Sequence, residues 1–274
     1  MSMTKFSLNR YKQQIRNDFN SRSNYESEFH RKAAARLVEL AKLQAGQRVL
    51  DVATGTGLAA IAAARVVGLT GHVLGTDFSA GMLQQARAQA EALGLKNIVF
   101  ENVDADNQEL QERQYDIVLC SSAIVYFTDI PAVLEQWHSA LRSEGRVVFS
   151  CLAETSPSAS VVFRSVVKKY GITIPNPNAL LGTPEKCRQI LEAAGFEGTE
   201  MVPEQFGSYL QDASAVWAGN ARSAFGLQDA QWSEEQLNQC RLEYLAEIKK
   251  VSTEDGYWND VTLFFVTAHK ARGA

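Results

Sequence analysis

Hydrophobic positions along the chain change period several times. In ESEFHRKAAARLVELAKLQ (26–44), Phe29, Ala33, Leu37, Leu40 and Ala41 recur every three or four residues, which predicts a helix with one apolar face. AGQ breaks it. RVLDV (48–52) is short and mostly apolar and reads as a buried strand. LAAIAAARVV (58–67) follows as an alanine-rich helix that stops near Gly68 and Gly71. HVLGTD (72–77) predicts a second strand. SAGMLQQARAQAEALGL predicts a helix with Ser79 as N-cap and Gly94 at its C-terminal cap. Met82, Leu83, Ala86, Ala90 and Leu93 give that helix its apolar face. NIVFENV and YDIVLCSS predict strands three and four. IPAVLEQWHSALRSEG predicts a helix with Pro131 in its first turn, and RVVFSCL a fifth strand.

Strands alternating with helices at this spacing imply right-handed β-α-β units around a parallel sheet. The strands are apolar on both faces, as parallel strands covered by helices must be. The expected fold class is α/β, a Rossmann-like doubly wound sheet. After Leu152 the alternation lapses. SPSASVVFRSVVKKYG predicts a helix outside it. TPEKCRQILEAAGF returns to it, with Thr183 as N-cap and Pro184 at the first helical position, and a short strand is expected near Glu200–Glu204. Residues 207–258 form an insertion with two helices, the second opened by a capping box of Ser233 and Gln236. VTLFFVTAHK (261–270) is the last strand. The expected organisation is one domain over 1–274. Residues 46–152 form its core, 151–182 and 207–258 a substrate cap, and 183–206 and 259–270 the completion of the sheet.

Composition narrows the function classes. The chain has 274 residues, 46% hydrophobic and 21% charged, with a formal net charge of −4, values ordinary for a globular protein. That balance offers no basic surface for nucleic acid, and no apolar run approaches the roughly 20 residues of a membrane span. Cys120, Cys151, Cys187 and Cys240 form no Cys-x-x-Cys pair, and His30, His72, His138 and His269 have no metal-ligand spacing. No metal is expected, and a reducing cytoplasmic setting is. The N-terminal stretch MSMTKFSLNRYKQQIRN is basic and free of acid until Asp18, as organelle transit peptides are; an integral helix is the preferred reading. Oligomeric state is left open.

The loop ATGTG, between the first strand and the following helix, is the main candidate for chemistry. Its glycines let backbone approach a ligand, and the helix behind it presents unpaired N–H groups. Two chemistries use such a loop. GTGLAA matches the G-x-G-x-x-A of dinucleotide sites, and Asp77 stands about 20 residues on, where a ribose-binding acid belongs. Against this, Asp51 precedes Gly55 by four residues and would repel a pyrophosphate. It would not repel a sulfonium ligand bearing an ammonium group. Asp104, after the third strand, could accept from an adenine amino group. No later segment supplies an acid or base for hydride transfer.

The motifs VLDVATGTG, GTDFSAGML, VDAD and YDIVLCSSA, in this order, resemble those of class I S-adenosylmethionine-dependent methyltransferases. The resemblance is to the small-molecule, ubiquinone/menaquinone C-methyltransferase-like type. It covers residues 19–152 and, loosely, the last strand. It implies the strand order 3-2-1-4-5-7-6 with the last strand antiparallel, and S-adenosyl-L-methionine as cofactor. It implies that Asp51, Ala53, Thr54, Gly55 and Gly57 form the loop under the methionine part, Ala53 standing where the family often has glycine. Asp77 would hold the ribose hydroxyls beside Phe78 and Met82. Asp104 and Ala105 would meet the adenine edge. Ser121 and Ser122 would lie near the methyl group. FNSRSNYE (19–26) is similar to the family's N-terminal lid pattern, which makes residues 1–45 a helical lid and sets Tyr25 over the cofactor.

Methyl transfer is an in-line displacement that a protein assists mainly by positioning and by excluding water. A base is required only where the acceptor must lose a proton, so no catalytic signature need appear. Candidates on the acceptor side are Tyr126, after the fourth strand, and His30, near the lid; His138 is a weaker one. Phe163, Tyr170, Tyr209, Trp217, Phe225, Trp232 and Tyr244 fall in the expected cap. Either they suit a small apolar or aromatic substrate, or they pack the cap together. The sequence favours methyl transfer to a small, largely apolar or aromatic metabolite at O, N or C. Its alternatives are an NAD(P)-dependent oxidoreductase and a cofactor-binding protein without turnover.

Overall fold

The computed structural model describes residues 5–23, 25–223, 225–227 and 231–272. In chain order its helices are α1 (Lys5–Ser21), α2 (Glu28–Leu40), α3 (Leu58–Val67), α4 (Ala80–Ala92), α5 (Ile130–Ala140), α6 (Ser158–Lys169), α7 (Pro184–Ala193), α8 (Ser214–Arg222) and α9 (Glu234–Lys250). Its strands are β1 (Arg48–Val52), β2 (His72–Asp77), β3 (Ile98–Asn102), β4 (Tyr115–Cys120), β5 (Leu141–Leu152), β6 (Phe196–Gln205), β7 (Ser208–Leu210), β8 (Tyr257–Asn259) and β9 (Thr262–Lys270). The chain divides into two compact units. One comprises Met1–Cys151, Pro184–Val202 and Phe265–Ala274, the other Leu152–Thr183 and Pro203–Phe264.

Seven strands form one sheet in the order β3-β2-β1-β4-β5-β9-β6. Numbering only the strands of this sheet turns that into the expected 3-2-1-4-5-7-6. The sheet is mostly parallel with an antiparallel strand. Val49, Leu50 and Val52 of β1 and Ile117–Cys120 of β4 are buried, as the middle of a sheet covered on both faces requires. In register, Asp51 lies opposite Gly75 of β2 and Leu119 of β4. The three central strands therefore end level, and the loops that follow them open on one edge. α2 packs on α3, α1 on α4 and α5 on α7.

Local chemistry fixes the helix ends. The Ser79 hydroxyl accepts from the Met82 N–H, and Gly94 follows α4 with φ 67°, the left-handed position glycine takes freely. α2 begins at Ser27 with a capping box whose third member is His30. α5 stops at Ala140, where the sequence pattern predicted helix to Gly145. Lys270 Nζ donates to the carbonyls of His138 and Leu141 and so caps the last turn. LRSEG instead opens β5: pairing with β4 jumps from Tyr115↔Leu141 to Ile117↔Arg146. The extra residues bulge out, with Glu144 at φ 65°. β6 spans ten residues, twice the predicted length. It lies at the sheet edge, where its charged residues meet solvent, so only the stretch near Glu200–Glu204 reads as strand.

The second unit is held by its own core. Phe163, Trp217 and Tyr244 are buried and meet one another at ring distances of 5.2–6.3 Å. Val166, Val167 and Ile248 pack on them, with Tyr170 and Trp232 at the rim. α9 starts with the predicted box of Ser233 and Gln236. The pattern did not reveal the two-stranded pairing of β7 with β8, where Tyr209 meets Trp258 at 5.1 Å; strands of three residues are too short to show a period.

Candidate functional site

The turn from β1 into α3 takes left-handed backbone at Ala53 (φ 53°), Gly55 (φ 57°) and Gly57 (φ 86°). Ala53 thus adopts the conformation a glycine would enter without strain. The side of Gly55 where a Cβ would sit is open space. Gly57 faces the other way: a Cβ there would come within 3.1–3.3 Å of Ala86, Ile61 and Phe100. Gly57 is thus part of the loop but not of the lining of the cavity above it. It lets α3 pack against α4 and β3.

That cavity takes in about 910 Å³ of empty space, the open solvent at its mouth included. It gathers the other residues singled out in the sequence. Asp51, Ala53, Thr54 and Gly55 come from the first loop, Asp77, Phe78 and Met82 from the end of β2 and the start of α4, and Asp104 and Ala105 from beyond β3. Ser121, Ser122 and Tyr126 follow β4, and Tyr25 and His30 come from the N-terminal segment. His138 stands outside it. Its ring packs edge-on against Phe196 at 5.1 Å and against Gly195, a role in packing.

Three carboxylates shape the interior. Asp51 is buried at the end of β1 and accepts from the Thr54 hydroxyl at 2.5 Å through Oδ2. Its Oδ1 is buried without a partner. Burial pushes its pKa up to about 7, against the Thr54 hydroxyl and the Ala60 N–H, which favour the anion, and with a smaller rise from Asp77. Asp77 accepts the Gly55 N–H (2.9 Å) on one oxygen and the Ser79 N–H (2.8 Å) on the other. Burial raises its pKa too, opposed by those two bonds. Asp104, which lines the cavity, takes both Lys12 Nζ and the Asp106 N–H on Oδ1. Two of these acids thus carry the desolvation cost of a buried anion with no cation beside them.

α1 closes one side. Asn20 Oδ1 accepts from the Ser79 hydroxyl (2.8 Å) and the Gly81 N–H (3.0 Å), and a Cβ on Gly81 would strike the Asn20 carbonyl at 2.8 Å. Lys12 bridges Asp104 and Asp106, each at 2.5 Å. Lys12 and Arg16 lie over the Phe78 ring. Phe19 meets both Tyr25 and Tyr126 edge-on at about 5.5 Å, and Tyr25 stacks on His30 at 4.3 Å. Burial raises the Tyr25 and Tyr126 pKa values above that of an ordinary phenol. Sequence reasoning did not single out Lys12, Ile15 and Phe19 as lining residues. The four-residue spacing of Tyr11, Ile15 and Phe19 was the available signal. The aromatics of the second unit serve its core: Phe163, Trp217 and Tyr244 pack on one another, as one of the two readings required.

Among the described residues, no cluster of three or more His, Cys, Asp or Glu could hold a metal ion. No helix among them is long and apolar enough to cross a membrane.

Comparison with known proteins agrees with this geometry. The chain is 33% identical over 144 residues to the aklanonic acid methyltransferase of a Streptomyces strain, a match covering 51% of this chain and 66% of that protein. It is 30% identical over 143 residues to the demethylmenaquinone methyltransferase of Staphylococcus saprophyticus, covering 52% and 59%. The chain thus spans under two thirds of either relative. Its fold is similar to that of the phosphoethanolamine N-methyltransferase 2 of Haemonchus contortus solved with S-adenosyl-L-methionine. The TM-score is 0.56 at 18% identity, over 98% of this chain and 58% of that one. The family model described as a methyltransferase domain matches residues 43–201, more than half of the chain. By that match, and by the four motifs and the strand order that carry it, the chain belongs to the methyltransferase domain family.

Proposed function

We propose that this protein transfers the methyl group of S-adenosyl-L-methionine to a small, largely apolar or aromatic metabolite, at O, N or C. The observation that carries this reading is Asp51, which lines the cavity and has one carboxylate oxygen, Oδ1, buried without a hydrogen bond. A cationic donor satisfies it, and the ammonium of the cofactor's methionine part is one. A pyrophosphate beside the same oxygen would be repelled, which disfavours a dinucleotide. Gly55 leaves room for close approach. Asp77, held by two backbone N–H groups, keeps lone pairs for ribose hydroxyls. Asp104 suits an adenine amino group.

The cofactor supplies an activated methyl carbon. The residues of this chain bind it, orient it and exclude water. Asp51 and Asp77 would hold the charged and the sugar ends of the cofactor, and Ser121, Ser122 and Tyr126 would line the side where the acceptor sits. Phe19, Tyr25 and Tyr126 wall that region with apolar surface, which admits a flat or apolar acceptor and keeps water away. We read the setting as cytoplasmic. Calorimetric titration with S-adenosylmethionine, S-adenosylhomocysteine and NADH tests the proposal. Binding of the first two without the third is expected; binding of NADH alone overturns it.

A further inference from the structure

Ser122 stands where the chain leaves β4, in left-handed backbone with φ 55°, a conformation that a residue with a Cβ enters only at a cost. Pairing of β4 with β5 ends at Cys120↔Phe149, so Ser122 lies just past the ladder. Its N–H donates instead to the Ser150 hydroxyl oxygen at 2.9 Å, and the two hydroxyls lie 3.2 Å apart, where either can donate. Ser150 belongs to β5 and is fully buried. Unlike Ser122, it is not among the residues that line the cavity. The next N–H groups of the turn, those of Ala123 and Ile124, bond to the Cys120 sulfur. Downstream, the Thr128 N–H and hydroxyl reach Asp106. Side chains therefore tie this segment down along its length, and Ser150 is the tie at its left-handed residue. Ser121, Ser122, Ala123, Tyr126 and Phe127 of the segment line the cavity.

Resting on the methyltransferase reading, we propose that Ser150 is a positioning residue for the methyl-transfer site: its buried hydroxyl holds Ser122 in the left-handed turn and so sets the wall after β4 before any ligand arrives. A strained residue of this kind finds relief in a flip of the preceding peptide plane. The flip changes ψ of Ser121 and φ of Ser122 together and leaves the chain on either side nearly in place. It also turns the Ser122 N–H away from Ser150 and inverts the dipole of a peptide between two cavity-lining residues. With the Ser150 oxygen present, the flip costs a buried hydrogen bond. Without that oxygen, strain favours the flip and nothing at this point opposes it. Ser150 thus acts through Ser122 and touches neither cofactor nor acceptor.

The test is calorimetric titration of S-adenosylhomocysteine, with Ser150→Ala added to the native protein, to Ser122→Ala and to Ser122→Gly. In the native protein Ser150→Ala should weaken binding about tenfold. Added to Ser122→Ala, which keeps the strained backbone and lacks the second hydroxyl, it should again cost about tenfold. Added to Ser122→Gly it should cost less than about threefold, because glycine rests at that φ without strain. Equal losses in all three backgrounds would make Ser150 a packing residue only. A loss confined to the native background would assign the effect to the contact between hydroxyls. No loss in any background would show that the turn holds without Ser150. Each of these three results overturns the proposal. Should Ser150→Ala fail to fold, Ser150→Cys, similar in shape and a weaker acceptor, enters the same three comparisons, with smaller losses in the same pattern. Failure of the native protein to bind S-adenosylhomocysteine would instead fell the methyltransferase reading and this proposal with it.

Discussion

The cavity wall and the core of the second unit are built from the same materials and put them to opposite use. Each buries a cluster of aromatic rings, and each leaves an oxygen without a partner: Asp51 Oδ1 in the wall, the Tyr244 hydroxyl in the core. In the second unit Phe163, Trp217 and Tyr244 are each buried against the other two. In the wall Phe19 meets Tyr25 and Tyr126, and all three rings also line the cavity. An unpaired buried oxygen costs stability in either place. Beside a cavity that cost is recovered when a ligand binds; inside a packed core it is not. Position decides whether such an oxygen is a recognition element or a defect.

The comparison breaks most directly at Asp51. Asp51→Asn keeps the size and the Thr54 contact but removes the charge. S-adenosylmethionine affinity should fall by about 2–4 kcal/mol, the usual loss when one partner of a buried charge pair is truncated. Unchanged affinity by calorimetry would place the oxygen in the same class as that of Tyr244. Asp77→Ala should weaken binding by about 1–3 kcal/mol through lost charged hydrogen bonds. It should also lower thermal stability, since the Gly55 and Ser79 N–H groups lose their acceptor.

Titration sharpens the same point. The ligand requires ionised Asp51, whose pKa in the empty protein is about 7 against an ordinary 3.8. Below pH 7 a proton competes, so affinity should rise with pH up to about tenfold per unit as pH 7 is approached. It should decline above about pH 8, where an α-amino group loses its proton. The sign for folding is the reverse. An acid with a raised folded pKa contributes stability below its unfolded value and loses that contribution as pH rises through 7. The empty protein should melt lower at about pH 8 than at pH 5 on account of this group, and ligand should shift the melting temperature more at the higher pH. A flat affinity profile over the two pH units below pH 7 would remove Asp51 from the site.

The smallest effect belongs to the core. Tyr244→Phe deletes an unsatisfied hydroxyl and should stabilise the protein by roughly 1–2 kcal/mol, with S-adenosylmethionine affinity unchanged. Destabilisation on chemical denaturation would mean that the hydroxyl is satisfied, and the contrast with Asp51 would lapse.

Much of this was legible in the amino-acid order because β-α-β units are local. The caps at Ser79 and Ser233, the glycine turn after β1 and the acids at strand ends each declare themselves within a few residues. What escaped depends on distant partners. The end of α5 is set by Lys270, 130 residues after Ala140 in the chain. Gly57 looks like its neighbour Gly55 until Phe100 and Ala86 are seen on its other side. Lys12 and Phe19 acquire a role only once Asn20 pins α1 to α4.

The order of strands has a consequence for how the molecule comes into being. Every residue around the cavity lies between Lys12 and Phe127, whereas β9 lies between β5 and β6 in the sheet. On the ribosome the binding loops emerge first, and β9 follows on the order of ten seconds later. Through that interval the outer edge of β5 is an open row of amides and carbonyls, the kind of edge on which nascent chains associate. The arrival of β9 covers that edge and draws β6 into the sheet in one event.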